Sequence, residues 1–323
     1  MSIEALLKIL ADGQFHSGEE LGDVLGVSRT AIWKQVKKTN DLGLPLESVR
    51  GRGYRLVGGL DLLSERTIRD GLYPQVAALI SELNVEGVVD STNTLAMSKA
   101  GPGVCGYVCT AEQQIAGRGR RGRQWLSPYA GSICLSIVWE FTGGVTSLEG
   151  LSLAVGVAMV DALTKVGVED AQLKWPNDVL HSGKKLSGVL LEISGDAQGP
   201  CRVVVGVGVN VSTPGNRMTQ VDQPWIDVES ITKVPVTRNH LMVLMLNELM
   251  PLLSTFEARG FAGYRERWQR LDAYAGHQVS ITLGKDVVVG KACGVDALGA
   301  VIIETEAGKQ IFNGGEVSLR LEC

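Results

Sequence analysis

The chain lacks several features that would fix its class at once. Its six cysteines, Cys105, Cys109, Cys134, Cys201, Cys293 and Cys323, form no CxxC pair. With no secretion signal in view they read as reduced thiols, several of them buried in strands. Residues 1–8, MSIEALLK, place no basic segment ahead of an apolar run, so no signal peptide is expected and the expected compartment is the cytoplasm. The most apolar stretches, Leu151 to Val160 and Val203 to Val211, stop short of the roughly 20 residues that span a bilayer. The forty glycines keep no period, which excludes a fibrous or low-complexity chain. A net charge of −4 excludes a general polyanion binder. What remains is ordinary globular composition: 323 residues, 45% hydrophobic and 20% charged, enough for two or three domains.

Residues 117–123 stand out from this background. They read GRGRRGR, four arginines and three glycines in seven residues, with Trp125 close behind. Gly costs about 1 kcal/mol per position in a helix interior, and four guanidiniums are not buried without partners. The stretch is therefore a loop. Its glycines let backbone N–H groups approach an anion, and its arginines grip phosphate or carboxylate oxygens bidentately. A solvated basic loop or a nucleic-acid tail of the RGG kind fits the same residues, and the stretch alone leaves these readings open.

Residues 1–62 form an expected first domain. Ile3, Leu6, Leu7 and Leu10 share a helical face that ends at Gly13. Ser17 with Glu20 makes a capping box for a second helix, with Leu21, Val24 and Leu25 as its apolar positions and Gly26 as its end. Ser28 caps a third helix with Ile32 and Val36 inward and Arg29, Thr30, Trp33, Lys34 and Lys37 outward. Two short strands, around Leu46 to Val49 and Tyr54 to Val57, flank Arg50-Gly51-Arg52-Gly53, like the wing of a winged helix-turn-helix. Between Arg29 and Arg55 the local balance is +5, where a recognition helix and wing would meet phosphates. The same surface also suits a protein-interaction module.

Residues 63–272 alternate strand-like and helix-like runs. Asp61 to Gly71 reads as a linker with a short helix, and Val85 to Val89 as a strand. Ser91, Thr92 and Asn93 open a helix, either as ordinary N-caps or as donors and acceptors for a polar ring system. Tyr107 to Glu112 and Ser132 to Glu140 are strands, and Leu148 to Val166 is a helix buried against the sheet. In Lys174-Trp175-Pro176-Asn177-Asp178, Pro176 breaks the strand and turns Asn177 and Asp178 outward. Gly183-Lys184 then forms a hairpin turn, with Lys185 and Ser187 expected on one face of the returning strand. Asp178 opposite Lys185 is a cross-strand salt bridge, or the cation and acid that adenylation needs. Val203 to Val211 is a central strand whose Gly206 and Gly208 suggest a flat ligand against the backbone, with Asn210 at its end. Ser212 to Gln223, closed by Trp225, has the composition of a loop that orders over a ligand. In residues 273–323 the alternation of Val279, Ile281 and Leu283, and of Val301 and Ile303, with turns at Gly284-Lys285-Asp286 and Gly308-Lys309, indicates a small antiparallel barrel.

In combination, G-R-G-R-R-G-R-x-W, K-W-P-N-D and G-K-K-L-S-G closely resemble bacterial biotin protein ligases of the bifunctional kind that also repress the biotin operon. The resemblance covers the whole chain. It implies an α+β multidomain fold: winged helix, mixed-sheet ligase domain like class II aminoacyl-tRNA synthetases, and SH3-like barrel. It implies ATP and Mg²⁺ as requirements, and biotin as a substrate activated to biotinyl-5′-AMP. The biotinyl group then passes to a lysine of the biotin carboxyl carrier protein of acetyl-CoA carboxylase. The intermediate is also the corepressor, on which the chain forms a homodimer that binds operator DNA. Carried onto this chain, Lys185, Arg118, Arg120 and Asp178 are catalytic. Ser91, Thr92, Asn93, Gln114, Gly117, Arg118, Gly119, Arg120, Lys185, Gly188 and Gly206 bind biotin, and Gly208 leaves room beside them. Arg120, Arg123, Trp125, Asn177, Asp178, Asn210 and Trp225 serve the nucleotide. Ser28, Arg29, Thr30, Trp33, Lys34, Lys37 and Arg52 meet DNA. A lipoate ligase shares the chemistry but usually lacks the arginine loop and the winged helix. A degenerate sensor would not keep Arg118, Arg120, Asp178 and Lys185, while a ligase with a vestigial winged helix is harder to separate.

Overall fold

The computed structural model describes residues 3–39, 41–195, 199–213, 218, 221, 223–283, 286–314 and 317–322. Three helices open the chain, α1 (Ile3–Leu10), α2 (Gly18–Leu25) and α3 (Arg29–Thr39), followed by the antiparallel pair β1 (Leu46–Val49) and β2 (Gly53–Leu56). The capping box forms as expected: Ser17 Oγ accepts from Glu20 N at 3.0 Å, and Glu20 Oε2 accepts from Ser17 N at 3.3 Å. Gly26 ends α2 in the left-handed region, at φ 65°. Leu6, Leu7, Leu10, Leu21, Ile32, Val36 and Leu56 pack together as the small core. Val24 departs from expectation, being 67% exposed. The inward stripe of α2 runs through Gly18, Leu21, Gly22 and half-buried Leu25, which leaves Val24 beyond its edge. Gly22 belongs to that stripe because a Cβ there would lie 2.7 Å from the Val27 carbonyl.

Two short helices, α4 (Glu65–Gly71) and α5 (Pro74–Ala77), lead into the central unit. There β3 (Glu82–Val89), α6 (Thr92–Lys99), β4 (Tyr107–Gln114), β5 (Ser132–Phe141) and α7 (Leu151–Thr164) precede β6 (Ala171–Lys174), β7 (Asp178–His181), β8 (Lys184–Gly195) and β9 (Cys201–Asn210). The helices α8 (Val228–Ile231), α9 (Arg238–Arg259) and α10 (Ala262–Leu271) complete it. The sheet order is β3-β4-β5-β9-β8-β7-β6, with β3 and β4 parallel and the other pairs antiparallel. Period-two alternation separates the faces. On β5, Ile133, Leu135 and Ile137 pack with α7 and α9 in the main core, while Val138 joins Ala96 and Tyr107 beneath α6. β3 begins three residues before the expected Val85, and β4 runs on to Gln114. α7 starts at Leu151, after a 3-10 turn over Val145–Leu148. The segments Val145–Thr164 and Arg238–Arg259 are long and apolar enough to cross a membrane, against the expectation from shorter runs. Both are mostly buried in the fold, as paired core helices.

The last unit is an antiparallel five-stranded sheet of β10 (Gln278–Leu283), β11 (Asp286–Val295), β12 (Val301–Thr305), β13 (Gly308–Phe312) and β14 (Val317–Leu321), ordered β13-β12-β11-β10-β14. Val279, Ile281, Val301 and Ile303 are buried, as their alternation predicts. Of the expected turn, Gly284 and Lys285 lie outside the described residues. Contacts cross both expected domain limits. Arg238, 1% exposed, donates to the Asp61 carbonyl, to the Ser132 carbonyl at 3.1 Å and to Glu112 Oε2 at 2.5 Å. Tyr129 of the central unit packs into the winged-helix core. At the other limit, Trp175 Nε1 donates to the Gly299 carbonyl at 3.0 Å.

At that second limit, burial raises the Asp272 carboxyl to about 6, only partly offset by the Tyr274 N–H that it accepts. The folded chain thus keeps a proton that the unfolded chain releases, so stability is lost as pH rises from about 4 to about 6. Asp272→Asn keeps the acceptor and removes the charge. Denaturant melts should place the variant on the order of 2 kcal/mol above wild type at pH 7, with the gap closed at pH 4.

Candidate active site

A cavity of about 340 Å³ opens between the N-terminus of α6, the arginine-glycine loop, β8 and β9, and Leu319 of the C-terminal sheet. Its inner end is polar. Gln114, at the last position of β4, accepts from Thr92 N at 2.8 Å and lies 3.0 Å from Thr92 Oγ1. Ser91 caps α6 by accepting from Thr94 N, so the cap reading and the pocket reading of Ser91, Thr92 and Asn93 both hold. Beneath them Ser136 Oγ lies 2.6 Å from Asn93 Oδ1 and 2.8 Å from Thr92 Oγ1. Ser136 is absent from the expected residues; its only sequence signal is its place opposite the apolar positions of β5.

The expectation of a flat ligand directly on Gly206 and Gly208 needs correcting. A Cβ at Gly206 would collide with Asn93 Oδ1, and one at Gly208 would lie 2.5 Å from the Trp125 indole. These glycines make room first for the protein's own amide and ring, which then line the cavity. Gly117 stands behind the wall for a similar reason: a Cβ there would lie 2.5 Å from the Trp125 carbonyl.

The cationic wall comes from the β7–β8 hairpin. Lys185 Nζ lies 2.8 Å from Asp178 Oδ1, with the side chains only 17% and 14% exposed. An irregularity between Val179 and Leu180 pairs Asp178 with Gly188 and Leu180 with Lys185. That extra residue shifts the alternation, so Gly188 rather than Ser187 shares the cavity face with Lys185. Ser187 is buried and donates to the Gly208 carbonyl at 2.7 Å, against the expectation that it sits beside Lys185. At Gly188 a Cβ would lie 3.2 Å from Lys185 Nζ and 3.5 Å from Asp178 Oδ1, crowding the ion pair. Lys174, opposite Asp178 on β6, also lines the cavity and is missing from the expected set. Burial lowers its ammonium pKa, with Asp178 acting the other way.

The loop arginines divide. Arg118 donates to Thr94 Oγ1 at 3.0 Å and pairs with Glu192 Oε1 at 3.1 Å. Arg120 donates to the Gly314 carbonyl and to Asn177 Oδ1 at 3.4 Å, and burial lowers its pKa despite Asp178 nearby. The C-terminal unit thus contributes the Gly314 carbonyl, beyond β13, and Leu319. Gly119 and exposed Arg123 also line the cavity. Asn177 Nδ2 donates to the Val189 carbonyl at 2.7 Å. Asn210 and Trp225 do not line the cavity. They flank the backbone of Lys185, which donates to the Pro224 carbonyl at 2.9 Å, while Asn210 donates to the Ile226 carbonyl at 3.2 Å. Of the expected closing loop, residues 214–217, 219, 220 and 222 lie outside the described residues; Val221 and Gln223 line the cavity. No cluster of three or more metal-ligating side chains occurs among the described residues.

In the winged helix, Ser28, Arg29, Thr30, Trp33, Lys34, Lys37 and Arg52 are all exposed. Ser28 also caps α3, accepting from Ala31 N at 3.3 Å. Lys37 Nζ sits 3.8 Å above the Trp33 ring, and the Arg52 guanidinium 4.1 Å above Phe15.

Fold and site define the class as a protein ligase joined to a helix-turn-helix module. Residues 87–210 match the Biotin/lipoate A/B protein ligase family, residues 3–55 an HTH domain, and residues 274–320 the biotin protein ligase C-terminal domain. The chain is 36% identical over 315 residues to the bifunctional ligase/repressor BirA of Escherichia coli (strain K12), covering 98% of this chain and 96% of that one. To its namesake in Bacillus spizizenii it is 30% identical over 312 residues, with 94% of each covered. Among solved structures, the biotin protein ligase from Aquifex aeolicus in complex with biotin and ATP matches with a TM-score of 0.64 and 29% identity, over 75% of this chain and 100% of that one. The chain belongs to the biotin protein ligase family, in its bifunctional ligase/repressor branch.

Because Gly206 admits Asn93 to the cavity, Gly206→Ala should displace that amide. A shift of about 1 Å in a positioning group can cost on the order of 10²-fold. Isothermal titration with biotin should register a loss of that size, with the melting temperature near wild type.

Proposed function

We propose that this chain activates biotin with ATP to biotinyl-5′-AMP and passes the biotinyl group to one lysine of a biotin carboxyl carrier protein. We propose further that the adenylate-loaded form represses transcription at operator DNA. The observation that carries the reading is the meeting, in one cavity, of the Lys185–Asp178 pair, Arg118, Arg120 and Arg123, and the Thr92–Gln114 end. Ser91, Thr92, Asn93, Gln114, Gly188 and Gly206 would surround biotin, with Gly117 and Gly119 shaping the loop beside it. Asn177, Asp178 and Trp125 would face the nucleotide, while Asn210 and Trp225 act through the backbone of Lys185.

In the first step an oxygen of the biotin carboxylate attacks the α-phosphorus of ATP. The bond from that phosphorus to the β-bridging oxygen breaks, and pyrophosphate leaves. Two anions must meet in line, so the protein's part is alignment and charge stabilisation by Lys185, Arg118 and Arg120. In the second step the neutral amine of the carrier lysine attacks the acyl carbon, AMP leaves, and the amine loses a proton to solvent. Closing the cavity guards the mixed anhydride from water in between.

Asp178 is the one carboxylate among the described residues lining the cavity, and it is already paired with Lys185. That donor set fits Mg²⁺ held mainly by the substrate's phosphates with at most one protein carboxylate. When bound there, Mg²⁺ would neutralise phosphate charge. The domain limits we favour remain 1–62, 63–272 and 273–323, and the setting we favour is the cytoplasm.

Incubating the chain with biotin, ATP, Mg²⁺ and a carrier domain should add one biotinyl group by intact mass, with no addition when any component is omitted. Lys185→Ala should slow pyrophosphate release on the order of 10²-fold or more; an unchanged rate would refute its role. For repression, the exposed basic face of α3 and the wing must reach two half-sites, which requires a two-fold dimer. Sedimentation should shift toward dimer on adding biotinyl-AMP, and a chain that stays monomeric would count against that coupling.

A further inference from the structure

We infer that Glu192, which does not line the cavity, is the residue that sets the polarity of the biotin pocket and the resting position of Arg118. The inference rests on the proposed reading of the cavity as the biotin site. Glu192 lies on β8, two steps of the alternation beyond Gly188, on the same face. One carboxylate oxygen, Oε2, accepts from Asn93 Nδ2 at 2.8 Å. Arg118 Nη2 straddles the group, 3.2 Å from the same oxygen and 3.1 Å from Oε1. The same acid therefore holds an amide at the floor of the cavity and a guanidinium at its lip.

A carboxylate accepts and cannot donate. Asn93 must then present Nδ2 to Glu192 and Oδ1 to Ser136. Ser136 has one proton, and Asn93 Oδ1, 2.6 Å away, has none to give. The Ser136 proton is thus drawn to Asn93, and Ser136 Oγ also lies 2.8 Å from Thr92 Oγ1. Thr92 in turn meets Gln114 Oε1 through both its backbone N–H and its hydroxyl. One charged group, seconded by the Leu190 carbonyl 3.4 Å from Asn93 Nδ2, thus fixes the amide of Asn93 and the proton of Ser136. A neutral cyclic urea, with a carbonyl and two N–H groups, is distinguished by such a fixed pattern, because a mispaired donor or acceptor in a buried site is costly. Glu192→Gln loosens the constraint: its amide can donate as well as accept, only the longer 3.4 Å contact to the Leu190 carbonyl still orients Asn93, and Arg118 loses its countercharge.

Glu192 is a positioning residue, and its signature is selectivity between the two substrates. The test uses the full chain with ATP, Mg²⁺ and a carrier domain, and varies biotin and ATP separately. With Glu192→Gln the KM for biotin should rise on the order of tenfold, as for loss of a charge-assisted hydrogen bond, and the KM for ATP should stay within about twofold. Glu192→Asp, which keeps the charge on a shorter arm, should fall between the two. An unchanged biotin KM in Glu192→Gln overturns the inference. So does a joint rise of both KM values with a lowered melting temperature, which marks a merely structural role, and so does Glu192→Asp binding biotin more weakly than Glu192→Gln. Should Glu192→Gln not fold, an unchanged biotin KM in Glu192→Asp overturns it equally. A wild-type chain that leaves the carrier unmodified sinks the proposed function itself, and this inference with it.

Discussion

The Lys185–Asp178 ion pair is the interaction around which the rest of the central unit is arranged. Two charges at 2.8 Å with little solvent access are tolerable only when geometry and further partners are secured. The β7–β8 irregularity supplies the facing, Gly188 supplies the room, and the strand-like pairing of Lys185 with Pro224 and Ile226 fixes the backbone that carries the lysine. Arg120 and Lys174 stand close enough for Asp178 to raise their pKa values against burial. A single carboxylate therefore restrains a ring of cations which would otherwise repel one another, and an anionic substrate arriving there would share in the same balance.

What could be read in the sequence followed local rules. Capping at Ser17, alternation along β5 and β9, and glycine turns report on the nearest few residues, so elements and their order were accessible. The K-W-P-N-D and arginine-glycine stretches were accessible because they concentrate uncommon chemistry in a few positions. Glu192 and Ser136 were not. Each is an ordinary residue at an ordinary strand position, made relevant by a neighbour remote in the chain: Asn93 is 99 residues from Glu192. The face of Ser187 was misjudged for another local reason. Period-two counting assumes an unbroken ladder, and one extra residue at Leu186 reverses every face beyond it. The role of Gly206 and Gly208 was half legible: the need for space was visible, but not that Asn93 and Trp125 fill it.

Charge on this molecule is sorted by neighbourhood. The winged helix keeps its lysines and arginines at the surface, some stacked on Trp33 and Phe15, where they remain hydrated and cost little. The cavity draws Lys185, Lys174 and Arg120 inward; burial works against the charges of Lys174 and Arg120, which an anion would favour. Between the two lies the fully enclosed Arg238, joined to Glu112, to the carbonyl of Asp61 and to that of Ser132. It fastens the connection between the first two units to the sheet at the strand that ends in Gln114.

Tyr129, only 4% exposed, completes the core of a domain to which it does not belong by sequence, four residues after the indole that lines the cavity. The winged helix is consequently no detachable cartridge. Cutting the chain at its linker would bare an aromatic ring on the enzyme and leave a hole in the excised module. An evolutionary lineage shedding the DNA-binding unit would have to repaint that patch of the ligase surface, and one exchanging it for another would have to keep a socket for the same ring.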